Sequence, residues 1–419
     1  MVVGVALRFA TALGLHVRNE DPSASGLKRE VLVRIWWSLY YLERQLSIIT
    51  GRPSVIVDSC CSVPLPIPFS EQQIADDIDL VNRLRRASSA SAVSSLTVSP
   101  AMPGELPRTP PGLAIPEANS GSYFKAAVEM GIITQSILSS LYSARTMIRS
   151  PEELQHDTQQ LTQRLDNWVT KLPADLNFYI HRSWIGQSES VFSRERMLLA
   201  FQFCSARILL TRPSLSSLGQ AARDTKDGSS RALASACIEA AKLEIDLLPD
   251  HPDPSFVYEY GPWWTIVHNL MQALAVLLLS LSYSSAVLQD NIVIASYCTK
   301  IIRWLRSLNN PIAERATRVA LSCFELVAHR LSLDISGLLV DHSMAYSSPE
   351  RGVHMDGVYT GIPPMVTSVG YGPVAPTPAS TSLLDGHSPT LMSFDPLVAG
   401  TAYTPQTDGQ LYSDTYYHH

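Results

Sequence analysis

Apolar residues recur at spacings of three and four over several helix-length stretches, and no alternating apolar–polar run competes with them. That periodicity predicts an all-α fold. The densest stretch, residues 34–53, reads RIWWSLYYLERQLSIITGRP. Leu32, Ile35, Trp36, Leu39, Leu42, Leu46 and Ile49 predict one wide apolar helix face, which Trp37 and Tyr40 widen further. Gly51 and Pro53 should end the helix, because glycine suits a left-handed cap and proline cannot continue the hydrogen-bond ladder. A second helix opens at Ser150 as N-cap, with Pro151 at its first position and two glutamates in its first turn; its stripe is Leu154, Leu161, Leu165, Trp168 and Leu172. Further helices are predicted over 191–211, 229–248, 263–288, 292–308 and 312–331.

Two stretches lack the large apolar residues needed to offset the entropy of ordering them. Residues 85–122 form a Ser/Pro-rich insertion, expected to be disordered, between a first helical part at 1–84 and the remainder of the helical domain at 123–340. Within it, Ser88 follows two arginines and Ser99 and Thr109 precede prolines, so all three are candidate phosphorylation sites. Residues 341–419 form a second disordered stretch, with no Lys or Arg after Arg351. There Phe394, Leu397, Leu411, Tyr412, Tyr416 and Tyr417 lie near Asp395, Asp408 and Asp414, the acidic–hydrophobic spacing of an activation segment.

The formal net charge of −6 supplies no general attraction for phosphate backbones. The cysteines Cys60, Cys61, Cys204, Cys237, Cys298 and Cys323 form neither a disulfide framework nor a zinc knuckle, and read as reduced, buried thiols of an intracellular protein. The opening 17 residues lack the basic start of a signal peptide, and Arg8 interrupts their apolar run, which predicts an amphipathic helix. The apolar run at 270–281 is shorter than the ~20 residues that span a bilayer, so it is expected to be a core helix, and no membrane partner is expected.

No catalytic constellation stands out. Asp76, Asp77 and Asp79 could hold a magnesium ion in an all-helical diphosphate enzyme, but no second carboxylate cluster accompanies them, and a solvated helix face explains them better. His16, His156, His181, His251, His268 and His329 show no metal-binding spacing, and His268 sits inside an apolar helix. Phosphate-binding glycine loops and nucleophile elbows are missing from the sequence.

The ordered motifs of the first sixty or so residues carry a resemblance. ALGLHV with Leu13, Gly14, Leu15 and His16, then Glu30, Arg34, Trp36 and Trp37, then Glu43 and Arg44, then Gly51, Arg52 and Pro53, and finally Pro64, Leu65 and Pro66 resemble the regulatory, or middle homology, domain of fungal zinc-cluster transcription factors, the group that includes the xylanolytic activators. Glu43 stands where the family usually has Asp. FQFCSARILLTRPSL is similar to a later family helix, with Thr211 in place of the usual His, and GPWWTIVHNLMQALAVLLLSL and IIRWLRSLNNPIAERATRVA are similar to its C-terminal helices. The resemblance implies a multi-helix regulatory domain in a nuclear protein that regulates genes of RNA polymerase II.

It also implies that Trp36, Trp37 and Tyr40 are core, and that Arg34, Glu43, Arg44 and Arg52 form ion pairs and caps; the sharper alternative is a ligand pocket lined by the same aromatics. Family members carry an upstream binuclear zinc cluster that docks on DNA. Here Met1 falls where the family would have an internal helix, so the chain is expected to lack that module and its zinc, with no cofactor or catalytic residue of its own. Its expected partners are transcription coactivators or an upstream DNA-binding module, a small-molecule effector and a second copy of itself, with DNA reached only indirectly. An all-helical small-molecule receptor or enzyme that reuses the scaffold is the alternative.

Overall fold

The computed structural model describes residues 2–19, 21, 23–77, 80–84, 117–179, 191–220, 228–283 and 291–338. Its regular elements are helices: α1 (Val2–Ala12), α2 (Gly26–Thr50), α3 (Glu71–Asp76), α4 (Ser120–Leu141), α5 (Pro151–Thr170), α6 (Ser193–Gln220), α7 (Gly228–Asp246), α8 (Pro254–Tyr260), α9 (Trp263–Ser282), α10 (Asn291–Ser307) and α11 (Pro311–Leu331). The chain is all-α, as its periodicity predicts, and no strand occurs among the described residues. The candidate sites Ser88, Ser99 and Thr109 and the tail from 341 onward lie outside those residues.

Local chemistry sets the boundaries. Ser150 accepts from the Glu153 backbone N–H at 3.2 Å while the Glu153 carboxylate accepts from the Ser150 N–H at 3.2 Å, a reciprocal cap that starts α5 with Pro151 at its first position. Asn310 caps α11 in the same role, accepting from Ala313 N at 2.9 Å. α4 begins at Ser120, inside the stretch expected to be disordered up to residue 122. Asn119 accepts from the backbone N–H groups of Gly121 and Ser122 at 2.8 and 3.0 Å, and its own amide reaches Pro68 O at 3.2 Å. Polar capping rather than apolar content orders this end, which a reading based on large hydrophobics misses.

α6 runs through Pro213 to Gln220, whereas the proline predicts a stop after residue 211. Pro213 has no N–H to give to the carbonyl of Leu209, four residues back. The Tyr142 hydroxyl donates to that carbonyl at 2.6 Å, so the helix continues with its acceptor satisfied. The Arg212 guanidinium lies 5.3 Å from the Tyr142 ring centre.

Among the described residues the buried apolar side chains form two larger cores and a small third cluster of Ile67, Ile74 and Val81. The larger joins α4, α5, α6, α7, α9, α10 and α11, with Phe203, Trp168, Trp304, Phe324 and Leu277 among its buried side chains. α9 is long and apolar enough to cross a membrane by composition, but it packs against α6, α7, α10 and α11 and buries Ile266, Leu270, Ala273, Leu274, Leu277 and Leu281 among them. The smaller core joins α1, α2 and the chain after α2 through Leu7, Val33, Trp36, Trp37, Tyr40, Ile56 and Val63, with Val128 of α4. Cys204, Cys237 and Cys298 are buried thiols, and burial pushes Cys237 up to about 11 and Cys298 up to about 12. Cys60 and Cys323, expected to be buried, are exposed, and Cys61 is half-buried.

Candidate functional site

The face of α2 that enters the core is not the leucine–isoleucine stripe. Glu30, Val33, Trp36, Trp37, Tyr40, Glu43 and Arg44 are buried, while Ile35 and Leu42 are exposed. The buried face lies about a third of a turn around from the predicted one at 3.6 residues per turn. The cause is the segment that follows. Residues 54–69 contain Pro64, Pro66 and Pro68 and fold back along α2, largely without regular structure apart from one 3-10 turn at Asp58–Cys60, so most of their backbone groups have no ladder of their own and need partners from elsewhere.

The charged side chains of α2 supply those partners. At its C-terminal end the Glu43 carboxylate accepts from Val55 N at 2.9 Å, from the Ser54 hydroxyl at 2.7 Å and from the Ser47 hydroxyl at 3.0 Å. Arg44, 2% exposed, donates to Ile56 O at 3.4 Å and to the Asp58 carboxylate at 2.5 Å, and its guanidinium sits 4.5 Å from the Tyr40 ring centre. In the middle, the Trp37 indole N–H donates to Pro64 O at 2.8 Å. At the N-terminal end, Glu30 accepts from Ile67 N at 3.0 Å and from Arg34 Nε at 3.3 Å, and Arg34 also donates to Phe69 O at 2.6 Å. The strap therefore runs antiparallel to α2, pinned at three levels. Hydrogen bonds to charged groups contribute roughly 1.5–3 kcal/mol each, which is why charge is retained in this core.

Two glycines make the path possible. Gly51 caps α2 at φ 63°, and the following N–H of Arg52 returns to Ser47 O at 3.1 Å, turning the chain back. A Cβ on Gly121 would lie 1.9 Å from Phe69 O, so the start of α4 approaches the strap closely only because it is glycine. Arg52 and Pro53 are exposed, and Arg52 takes part in the cap of α2 through its backbone N–H, with no ion pair to its side chain among the described residues. Trp36 packs 5.8 Å from the His16 ring, and His16 O accepts from Ser62 N and Val63 N at 3.0 and 3.2 Å, tying the end of α1 to the strap.

Trp36, Trp37 and Tyr40 are thus buried in the smaller core. Tyr41, the next residue, points about 100° further around α2 and lines a cavity of about 230 Å³ bounded by α2, α4, α6 and α9. The Tyr41 hydroxyl accepts from the Gln202 amide nitrogen at 2.5 Å, and burial raises its pKa. Gln202 Oε1 is left buried and without a partner. Across the cavity, His268 is held neutral by burial, which lowers its pKa, and Asn269 is 3% exposed. Neither Gln202 nor Asn269 belongs to a sequence motif that signals chemistry; only the placement of His268 inside an apolar helix hinted at this wall.

In the acidic cluster at 76–79, Asp76 accepts from Gln72 at 2.9 Å and Asp77 pairs with Arg83, while Asp79 lies outside the described residues. Among the described residues no three His, Cys, Asp or Glu side chains gather to hold a metal ion.

Residues 1–170 match the fungal specific transcription factor domain, a span that takes in α1, α2, the strap, α4 and α5. The chain is 28% identical over 378 residues to the transcription regulator galc of Aspergillus niger, covering 80% of this chain and 44% of that protein. It is 35% identical over 82 residues to the thiamine repressible genes regulatory protein thi1 of Schizosaccharomyces pombe, covering 20% of this chain and 11% of that protein. It is 24% identical over 287 residues to a putative transcriptional regulatory protein of Saccharomyces cerevisiae, covering 66% and 33%. The chain spans less than half the length of these relatives. No solved structure matches it. α2 and its strap thus lie in a segment, residues 1–170, that matches the fungal specific transcription factor domain, in agreement with the resemblance that its motifs carry, and the relatives of the chain are named as transcription regulators.

Proposed function

We propose that this chain is the regulatory portion of a fungal transcription regulator, working in the nucleus through its helical domain and its contacts with coactivators or with a DNA-binding module, and meeting DNA only indirectly. The observation that carries this reading is that the family match over 1–170 coincides with the buried clamp of Glu30, Arg34, Trp37, Glu43 and Arg44 on the strap. These motif residues hold one segment against one helix. Their role is to fix the shape of a surface, which is the requirement of a regulator rather than of a catalyst. The relatives are named as transcription regulators, which favours this reading over an enzyme on the same scaffold. Residues 341–419 serve in this reading as an activation segment, with their acidic groups keeping aromatic side chains hydrated until a partner's groove buries them.

The test is a tethered reporter. Fused to an unrelated DNA-binding domain in a fungal host, the full chain changes transcription of a reporter bearing that domain's site. Glu43→Ala, which strips the anchors from Ser54 and Val55, removes most of the change, whereas Glu43→Gln, which keeps the shape and part of the hydrogen bonding, removes less. A reporter unaffected by the wild-type fusion, with the fusion present in the nucleus, overturns the reading.

A further inference from the structure

We propose that the outward face of α2 is a docking surface for an amphipathic helix of a partner protein, apolar along one stripe and acidic at its flanks. The inference deepens the regulatory reading given above by naming the chemistry of a partner, but it stands on the surface itself. Leu27, Val31, Ile35 and Leu42 are 39–46% exposed and point about half a turn away from the face that holds the strap. Between Arg29 and Ile49 the exposed residues are the last three of these and Ser38. α2 is therefore apolar on both sides, the pattern of a helix covered all round, while one side meets solvent.

The spacing identifies the shape of what covers it. Leu32, Ile35, Leu39, Leu42, Leu46 and Ile49 alternate steps of three and four along the outer side of the helix, a heptad seam that fits a second helix laid along the first rather than a layer of lipid. Leu42 also lines the cavity of about 230 Å³ described above, and Trp264 of α9, 42% exposed, lines it too. That space is smaller than the ~300–1,000 Å³ of drug-sized sites and suits one large apolar side chain of the partner as an anchor.

Charge sets the partner's flanks. The only carboxylates of α2, Glu30 and Glu43, are buried in the clamp, so none faces outward. Lys28 at the start of the stripe and Arg52 just beyond its end are exposed, and neither has an ion pair among the described residues. Asp21, ahead of the helix, is taken up by Ser23, whose N–H and hydroxyl both donate to it. A second copy of the chain is a poor occupant: antiparallel pairing sets Lys28 beside the other copy's Arg52, and parallel pairing sets Lys28 beside Lys28, so like charges meet either way. A helix with Asp or Glu along its flanks meets opposite charge at both ends.

The probe is a fluorescent three-heptad peptide with leucine at its a and d positions and glutamate at its e and g positions, titrated against the full chain by anisotropy. The control peptide carries lysine in place of glutamate. The acidic peptide is expected to bind roughly tenfold more tightly than the basic one, and the difference should shrink as salt is raised. Val31→Asp combined with Ile35→Asp should weaken the acidic peptide roughly tenfold or more while the circular dichroism spectrum stays unchanged, since both side chains are exposed. Lys28→Glu combined with Arg52→Glu should abolish the preference for the acidic peptide. Ser38→p-benzoylphenylalanine places a photo-cross-linker in the middle of the stripe, where irradiation should join the acidic peptide to the chain. The proposal is overturned by absence of binding, by equal binding of the two peptides, or by binding that survives the paired aspartates. It is equally overturned by a cross-link that forms instead to a second copy, to residues 341–419 or, with phosphatidylserine vesicles present, to lipid. No reporter enters this test, so its failure is distinct from that of a silent tethered fusion.

Discussion

Glu244 shows how far a single residue can depart from its sequence context. On α7 it reads as one more helix-surface carboxylate, like Glu239, which is paired with Lys242 at 3.3 Å. Yet Glu244 is 0% exposed and both carboxylate oxygens lack a partner. Burial raises its pKa well above the usual carboxylate range and is the sole cause of the shift. In the unfolded chain the group ionises near its ordinary value of 4.5, while in the folded protein it keeps its proton to higher pH. Above that ordinary value the native state therefore holds more protons than the unfolded state, and stability falls as pH rises until the folded pKa is reached. Glu244→Gln, which cannot ionise, should match the wild type near pH 4 and gain about 1.4 kcal/mol for each pH unit above the unfolded value, up to the folded pKa. Urea denaturation at pH 4, 6 and 8 checks this, and parallel stability curves for the two proteins would contradict it. Nothing in the residues around Glu244 announced its burial, because the 3.6-residue period that places it inward counts it as polar.

Among the elements, α6 depends on a bond that its own sequence cannot provide. Tyr142, in the turn after α4, occupies the carbonyl of Leu209 that Pro213 leaves open. Tyr142→Phe keeps the ring beneath Arg212 but deletes the donor, and should cost about 1 kcal/mol, the usual net worth of such a bond. Amide exchange in the last two turns of α6 should quicken more than in α5 or α7, and a uniform loss of protection would show that the proline is tolerated for another reason. Helix class and most starting points were legible, because caps such as Ser150 and Asn310 act over three residues. The end of α6 was not, since its support comes from 67 residues away. The buried face of α2 was misread for a related reason: hydrophobic counting selects Ile35 and Leu42, whereas the neighbouring strap demands hydrogen-bond donors and acceptors from Glu30, Arg34, Glu43 and Arg44. The motif residues themselves were legible through the family resemblance, but their partners were not, and neither was the Gln202 and Asn269 wall.

For the whole molecule, α2 serves two neighbourhoods: its clamp face closes the smaller core, and the face carrying Tyr41 adjoins the larger one through Gln202. These attachments differ in how much chain must be gathered to make them. The clamp joins residues 11 to 37 positions apart, whereas the Tyr41–Gln202 bond joins residues 161 apart. Bringing distant segments together costs more loop entropy before any contact rewards it, so order of assembly should follow separation. The helix and its strap would then form early, and the wall facing Gln202 would close late. Glu43→Ala should accordingly slow refolding, while Gln202→Met should chiefly hasten unfolding, as stopped-flow denaturant jumps would resolve. A segment pinned by its near neighbours acquires its shape while the chain is still being made. On a ribosome, α2 and its strap could be set as soon as residue 69 has cleared the exit, leaving the later helices to assemble around a finished template.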